Sequence, residues 1–169
     1  MNEVMEVYGR IDEVLLRVFA TKIESENDVL YRLSLLITLY SALQGRGKFT
    51  ILELHTILSG IDIAKISTRD DIHNCIENIR TNLVQRNYTV DAFSLITKYL
   101  FWSKYATNAK NPDAYQHFYI YDSKVVDKLI KGGKKFTKRN YLSFSQAMEE
   151  FKTAKGIKCN KEFDRIMWK

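Results

Sequence analysis

Proline and glycine are scarce in this sequence, with one proline and seven glycines in 169 residues. Because these residues punctuate turns, their scarcity argues against a β-rich protein. The two cysteines, Cys75 and Cys159, lie far apart without spaced partners, which argues against a disulfide framework or a zinc site. Long apolar runs are also absent, and the segment MNEVMEVYGR does not resemble a signal peptide. We therefore expect a cytoplasmic protein without a membrane association.

Positive charge is concentrated in the second half of the chain. Residues 1–90 hold 10 Lys/Arg and 12 Asp/Glu, a net charge of −2, whereas residues 91–169 hold 16 and 8, a net charge of +8. The second half therefore carries all of the excess positive charge. A basic half beside a near-neutral one predicts a polyanionic partner, most often nucleic acid. The alternative is a lysine-rich surface that is simply solvated.

Apolar residues recur at helical spacing along most of the chain, which predicts an all-α protein of seven or eight helices. The length suggests a single domain, 1–169, with N-terminal helices in 1–90 and a basic lobe in 91–169. The first helix is expected over about residues 3–22. Patterns typical of helix starts follow at Ser25 with Asp28, Thr50 with Glu53, Thr68 with Asp71, and Ser143 with Gln146.

Lys98 lies within LITKYLFWSKY, a segment that reads as an apolar helix. At about 100° per residue, the lysine shares its face with Ser94, Phe101 and Trp102, so this face is a mixed polar and aromatic wall. A neutral amine in such a wall could act as a nucleophile that forms a Schiff base. The alternative is that the lysine stem lies on an aromatic ring and the head reaches water.

Asp122, in FYIYDSKV, directly precedes the predicted helix SKVVDKLIK. Aspartate is a favoured N-cap, so a purely structural role would explain it. A carboxylate at a helix start could also face a site while it caps the helix.

A basic run follows Asp122 and extends to Arg139, with a single acid, Asp127, inside it. Such a run could bind phosphates without reading base sequence. An exposed helix face and loop would explain the same residues. The basic residues considered for nucleic-acid binding are Lys124, Lys128, Lys134, Lys135, Lys138 and Arg139.

Other signals for chemistry are weak. His55, His73 and His117 show no ligand spacing, and GRGK at 45–48 lacks the phosphate-loop pattern. Residues 50–86 could form a helix-turn-helix, but acids at the start of the second helix would make it a poor reader of DNA. We therefore expect no metal and no small-molecule cofactor.

In order along the chain, ITK, FYIYDSKV and the terminal EFDRIMWK resemble motifs of the helix-hairpin-helix DNA glycosylase superfamily, in its oxoguanine DNA glycosylase-like branch. The resemblance covers mainly residues 90–169. It implies a two-lobed helical fold and a DNA partner, in a setting of DNA repair or phage defence. It also implies that Lys98 attacks the sugar C1′ and forms a Schiff base, and that Asp122 assists.

By the same resemblance, Phe101, Trp102 and Tyr121 would line a pocket for an everted base. The family's hairpin carries two glycines, and Ser94 and Ile96 stand in their places here. Phosphate binding would then depend on the basic run. The predicted function is a DNA glycosylase, possibly with AP lyase activity. The alternative is a non-catalytic helical module that binds nucleic acid or a protein.

Overall fold

A computed structural model describes residues 3–40, 51–86 and 92–168. Within these ranges the chain forms eight α-helices and no strand, which confirms the all-α prediction. Single turns of 3-10 helix lie at Ile63–Lys65 and Pro112–Tyr115. The helices span Glu3–Ala20 (α1), Glu26–Tyr40 (α2), Ile51–Ser59 (α3), Arg69–Gln85 (α4), Phe93–Thr107 (α5), Ser123–Lys131 (α6), Tyr141–Ala154 (α7) and Asn160–Trp168 (α8).

Two of the four predicted helix-start patterns are confirmed, at Ser25 with Asp28 before α2 and at Thr68 with Asp71 before α4. Thr68 and Asp71 form a reciprocal capping box at the start of α4. The predicted start at Ser143 is wrong, because α7 begins two residues earlier and Asn140 is its N-cap. The Asn140 side chain accepts a hydrogen bond from the Ser143 amide at 2.9 Å, a role for which asparagine is well suited. Thr50 lies outside the described residues.

Helix α5 lies at the centre of the molecule and packs against α1, α2 and α4. Its residues from Leu95 to Lys104 are all buried, because neighbours cover the helix on every side. Buried apolar side chains from Leu15 to Met167 form one core cluster, so both halves of the sequence contribute to it. Among the described helices, none combines the length and apolar character that crossing a bilayer needs.

A non-helical segment, residues 116–121, leads from the second 3-10 turn to α6. Its backbone is held by side chains from three helices. The Asn160 amide donates to three carbonyls of residues 115–118 at 2.7–3.2 Å. The Tyr141 hydroxyl accepts from the Tyr119 amide at 2.8 Å, and Thr97 accepts from the Tyr121 amide at 3.0 Å. These bonds fix the position at which Asp122 enters α6.

Candidate active site

Lys98 and Asp122 form a buried ion pair between α5 and the start of α6. The Lys98 Nζ lies 2.8 Å from the Asp122 Oδ2, and the two side chains are 1% and 12% exposed. The alternative in which the Lys98 head reaches water is therefore wrong. Its positive charge stays inside the protein, because a carboxylate compensates for the water that it loses.

The two oxygens of Asp122 have different partners. Oδ1 accepts a hydrogen bond from the Lys124 amide at 3.0 Å, which confirms Asp122 as the N-cap of α6. Oδ2 accepts from the Lys98 amine. The same carboxylate thus starts a helix and neutralises a buried amine, while a catalytic role for either residue stays a prediction.

Thr97 and Ser94 position this ion pair from α5. The Thr97 hydroxyl donates to the Ser94 carbonyl at 3.0 Å and accepts from the Tyr121 amide, directly before Asp122. The Ser94 hydroxyl accepts from the Lys98 Nζ at 3.1 Å. Ser94, which stands in place of a family glycine, lies in the first turn of α5 and directs its hydroxyl to the amine.

Sequence reasoning missed a second group of charged side chains, which is linked electrostatically to Lys98 through Asp164. Lys161 of α8 donates to the Asp12 carboxylate of α1 at 2.7 Å and lies 3.7 Å from Asp164. We call Lys98, Asp122, Asp164, Lys161 and Asp12 the charged cluster. The three-residue spacing of Lys161 and Asp164 on a helix could have indicated their contact. The pairing of Lys161 with Asp12, 149 residues away, has no local sequence signal.

Asp164 is a member of the charged cluster whose carboxyl group has a raised pKa. Burial raises the pKa of its carboxyl to about 6, because the ionised form loses its water. The positive charges of Lys161 and Lys98 oppose this rise, and the negative charge of Asp12 adds to it. Lys98 therefore acts electrostatically on two carboxyl groups, one directly paired with it and one that changes protonation near neutral pH.

The aromatic residues predicted to line a base pocket lie in or beside the core. Phe101 is 1% exposed and stacks on Tyr105, and Trp102 is fully buried. The Lys161 Nζ lies 4.2 Å from the centre of the Trp102 ring. Tyr121 is half-buried and packs edge-on against a neighbouring ring. A ligand would reach Phe101 or Trp102 only after covering side chains move, so their pocket role stays a prediction.

The basic residues after Asp122 divide into two groups. Lys128 donates to the Ile166 carbonyl near the end of α8, and Lys134 pairs with Glu150 at 3.0 Å. Lys135 and Lys138 are exposed and make no ion pair within the described ranges. Lys124 and Arg139 are exposed as well. Lys135 and Lys138 are therefore the residues of the run whose charge is most available to a partner.

In residues 3–40, 51–86 and 92–168, no three His, Cys, Asp or Glu side chains converge in a way that could hold a metal ion. In the charged cluster, Asp122 and Asp12 accept from lysine ammonium groups, which offer no lone pair to a metal. Comparison with protein-family models, with curated proteins and with solved structures gave no match to this chain.

Proposed function

We propose that this chain is a DNA glycosylase with AP lyase activity, which removes a damaged or modified base through Lys98 and Asp122. The supporting observation is the 2.8 Å contact between the Lys98 Nζ and the Asp122 Oδ2. A nucleophile and an assisting group must meet near one reacting atom, and direct contact between the two side chains supports this role. We place the pair in a two-lobed, helix-hairpin-helix-like fold, with 91–169 as the basic lobe.

In this proposal the Lys98 ammonium first gives a proton to the Asp122 carboxylate. The Nζ lone pair then forms a bond to the sugar C1′ while the bond from C1′ to the base breaks, and the electron pair leaves with the base, which takes the proton from Asp122. The new amine at C1′ loses a proton to Asp122, the C1′–O4′ bond breaks as the C1′=N bond forms, and O4′ takes up that proton, which gives a protonated Schiff base. Loss of a C2′ proton to water then expels the 3′ phosphate by β-elimination. The negative charge of Asp122 stabilises the cationic sugar as it forms.

The direction from which DNA would approach follows from exposure. Asp122 is 12% exposed and Lys98 is 1% exposed, so the open side of the pair is the side of the carboxylate. Exposed Lys124 lies on the first turn of α6, directly after Asp122, and Lys135 and Lys138 follow that helix. Phosphates bound by these lysines would hold the duplex at the open side of the pair. Reaction at Nζ then requires that Asp122 release the amine towards the sugar.

The test is borohydride trapping of the Schiff base on DNA that contains an abasic site or one of a panel of modified bases. The unaltered chain should form a covalent adduct, and Lys98→Ala should not. Lys158→Ala is the matched control, because Lys158 is an exposed lysine outside the basic run that could trap DNA only non-specifically. Its adduct yield should equal that of the unaltered chain.

Asp122→Asn separates catalysis from folding, because asparagine also caps helices but carries no negative charge. We expect trapping to slow by about 10²-fold or more, in line with the effect of losing a catalytic acid or base. Circular dichroism would show whether each variant is folded. An absence of adduct on every substrate, or an equal adduct with folded Lys98→Ala, would exclude the glycosylase proposal.

A second function is favoured by the burial of Lys98. Its amine is enclosed and bonded to Asp122 and Ser94, as in a buried pair that only specifies packing. In this case the chain would be a non-catalytic module that binds nucleic acid through its basic lobe. The double variant Lys98→Met/Asp122→Asn would then leave DNA affinity, measured by fluorescence anisotropy, unchanged.

A further inference from the structure

A cavity of about 190 Å³ lies between α1, α2 and α5, away from the charged cluster. Its apolar wall is formed by Phe19, Ile23, Ile61 and Ile63. Its polar wall includes Arg32 and Ser103. The volume somewhat exceeds the roughly 150 Å³ of a protein cavity that accepts benzene. A compact ligand with about ten non-hydrogen atoms therefore fits.

Arg32 brings a buried positive charge to this cavity. The residue is 3% exposed, its guanidinium donates to the Thr21 carbonyl at 2.5 Å, and it lies 5.1 Å from the centre of the Phe19 ring. Within the described part of the chain no carboxylate lies within ion-pair distance of it. Asp28, one turn earlier on α2, lies beyond ion-pair distance. The pKa of its carboxyl is lowered mainly by the Glu24 and Ser25 amides that donate to its Oδ2, and to a smaller extent by the charge of Arg32.

A buried guanidinium without a counter-ion is costly, because buried charges in proteins are normally paired. Ser103, on the same wall, is 4% exposed. The Tyr99 hydroxyl lies near both Arg32 and Ser103, and among the described residues the Ser103 hydroxyl makes no hydrogen bond of acceptable length and angle. An unpartnered buried hydroxyl and an unpaired guanidinium beside one cavity both call for a polar group inside it.

Access to the cavity exists from the surface. A second, more open groove shares Thr21, Lys22 and Arg32 with the cavity and continues over Arg17 and Tyr31. Arg32 therefore stands where the groove meets the cavity. A ligand that enters would place its apolar body against the isoleucines and leave its charged end at the guanidinium.

We propose that this cavity binds a small monocarboxylate with a compact apolar body, such as an aromatic or branched-chain acid, through Arg32 and Ser103. The planar guanidinium matches a carboxylate, with which it can form two parallel hydrogen bonds. Phosphate fits less well, because most of the wall is apolar and cannot replace the water around a phosphate. The proposal does not depend on the function assigned to Lys98.

The test is titration of the full-length chain with benzoate and with isovalerate, followed by calorimetry and by amide chemical shifts. We expect saturable one-to-one binding of at least one acid, with shifts at Thr21, Arg32 and Ser103. Arg32→Gln should weaken binding by about tenfold or more, which is the effect of losing a charge-assisted hydrogen bond. Arg17→Gln is the matched control, because Arg17 lines the outer groove but not the cavity.

Ser103→Leu fills the cavity and keeps Arg32. This variant tests whether the acid binds in the cavity even if Arg32→Gln does not fold. It should abolish binding. The proposal is overturned if neither acid binds at millimolar concentration, or if neutral benzamide binds as tightly as benzoate, which would indicate an apolar void. It is also overturned if inorganic phosphate displaces the acid at equal concentration, or if Arg17→Gln weakens binding as much as Arg32→Gln does.

Discussion

Lys98 and Lys104 lie less than two turns apart on α5, and both are buried, but their surroundings differ. The Lys104 amine donates to the carbonyls of Ile66, Ile63 and Ala64 at 2.7–3.4 Å and closes the end of a 3-10 turn. The Lys98 amine donates to a carboxylate and a hydroxyl. One lysine completes a backbone turn, and the other belongs to the charged cluster.

This difference shows that the burial of a lysine does not by itself indicate a catalytic site. Burial lowers the pKa of Lys104, but its three partners are carbonyls, which cannot accept a proton. The Lys98 amine instead contacts Asp122, whose carboxylate can accept a proton. The partners of a buried amine, more than its burial, decide whether it is a candidate for chemistry.

The largest effect should come from removing the partner of Lys98. Asp122→Ala leaves a buried charge unpaired and removes the cap of α6, so we expect a loss of about 3–5 kcal/mol in the free energy of unfolding, measured with urea. Asp122→Asn keeps a cap and isolates the loss of the charge. If Lys98→Met in the Asp122→Asn background restores no stability, the unpaired charge is not the cause.

Stability should depend on pH through Asp164. Its pKa in the folded chain is about 6, against 3.8 for an ordinary aspartate, so the folded state binds the extra proton between these values. The stabilisation is complete below pH 3.8 and is lost as pH rises through about 6, by up to about 3 kcal/mol. In urea titrations, the stability of the unaltered chain relative to Asp164→Asn should fall over this range.

The same titration distinguishes the two lysines. Lys98→Met should raise the pKa of Asp164 further, because the positive charge of Lys98 lowers it. Lys104→Met should leave the Asp164 midpoint unchanged. The chemical shift of the Asp164 carboxyl carbon, followed against pH, measures the midpoint in each variant. An equal change of midpoint in Lys98→Met and Lys104→Met would contradict the distinction between the surroundings of these two lysines.

Lys104→Met should have a smaller and local effect. It leaves the carbonyls of residues 63–66 without their donor, and we expect a loss of about 2 kcal/mol in unfolding free energy. Hydrogen exchange should become faster at the 3-10 turn. The yield of Schiff-base trapping per folded molecule should not change. If Lys104→Met abolished trapping, Lys104 and Lys98 could no longer be assigned different roles.

Thr97→Val tests how the backbone before Asp122 is held. The substitution preserves shape but leaves the Tyr121 amide without its acceptor, so we expect a loss of about 1 kcal/mol. Trapping should decrease more than stability does, because the placement of Asp122 changes. Thr97→Ser, which keeps the hydroxyl, should restore the trapping rate.

The smallest effect on stability should come from the exposed lysines. Lys135→Gln and Lys138→Gln should change the free energy of unfolding by no more than about 0.5 kcal/mol. Each should reduce the slope of log affinity for DNA against log salt by about 1. Lys158→Gln, an exposed lysine outside the basic run, is the control, and an equal change there would indicate a non-specific charge effect.

The parts of the fold that were predictable from the sequence are those that local chemistry determines. The helix caps at Thr68 and Asp122 could be predicted, because each side chain binds a backbone amide no more than three residues later in the sequence. Asn140 was missed, since a serine three residues later offered an equally plausible pattern. Helical spacing identified the polar and aromatic side chains that share a helix face with Lys98, but it could not show whether the amine reaches water.

The charged cluster could not have been predicted in the same way. Its members come from α1, α5 and α8 and the start of α6, and only packing brings Asp12 to Lys161. The raised pKa of Asp164 is a consequence of that packing. The cavity beside Arg32 could not be predicted from the sequence either, because the side chain of an arginine on a helix normally reaches solvent.

The non-helical segment before Asp122 has a consequence for the order of folding. Residues 116–121 lie outside helix and sheet, and the side chains that bind their backbone belong to α5, α7 and α8. Such non-local bonds form late, since each needs a distant part of the chain to be in place. The Lys98–Asp122 pair should therefore be among the last contacts made during refolding, and its formation would report that the entire helical core has assembled.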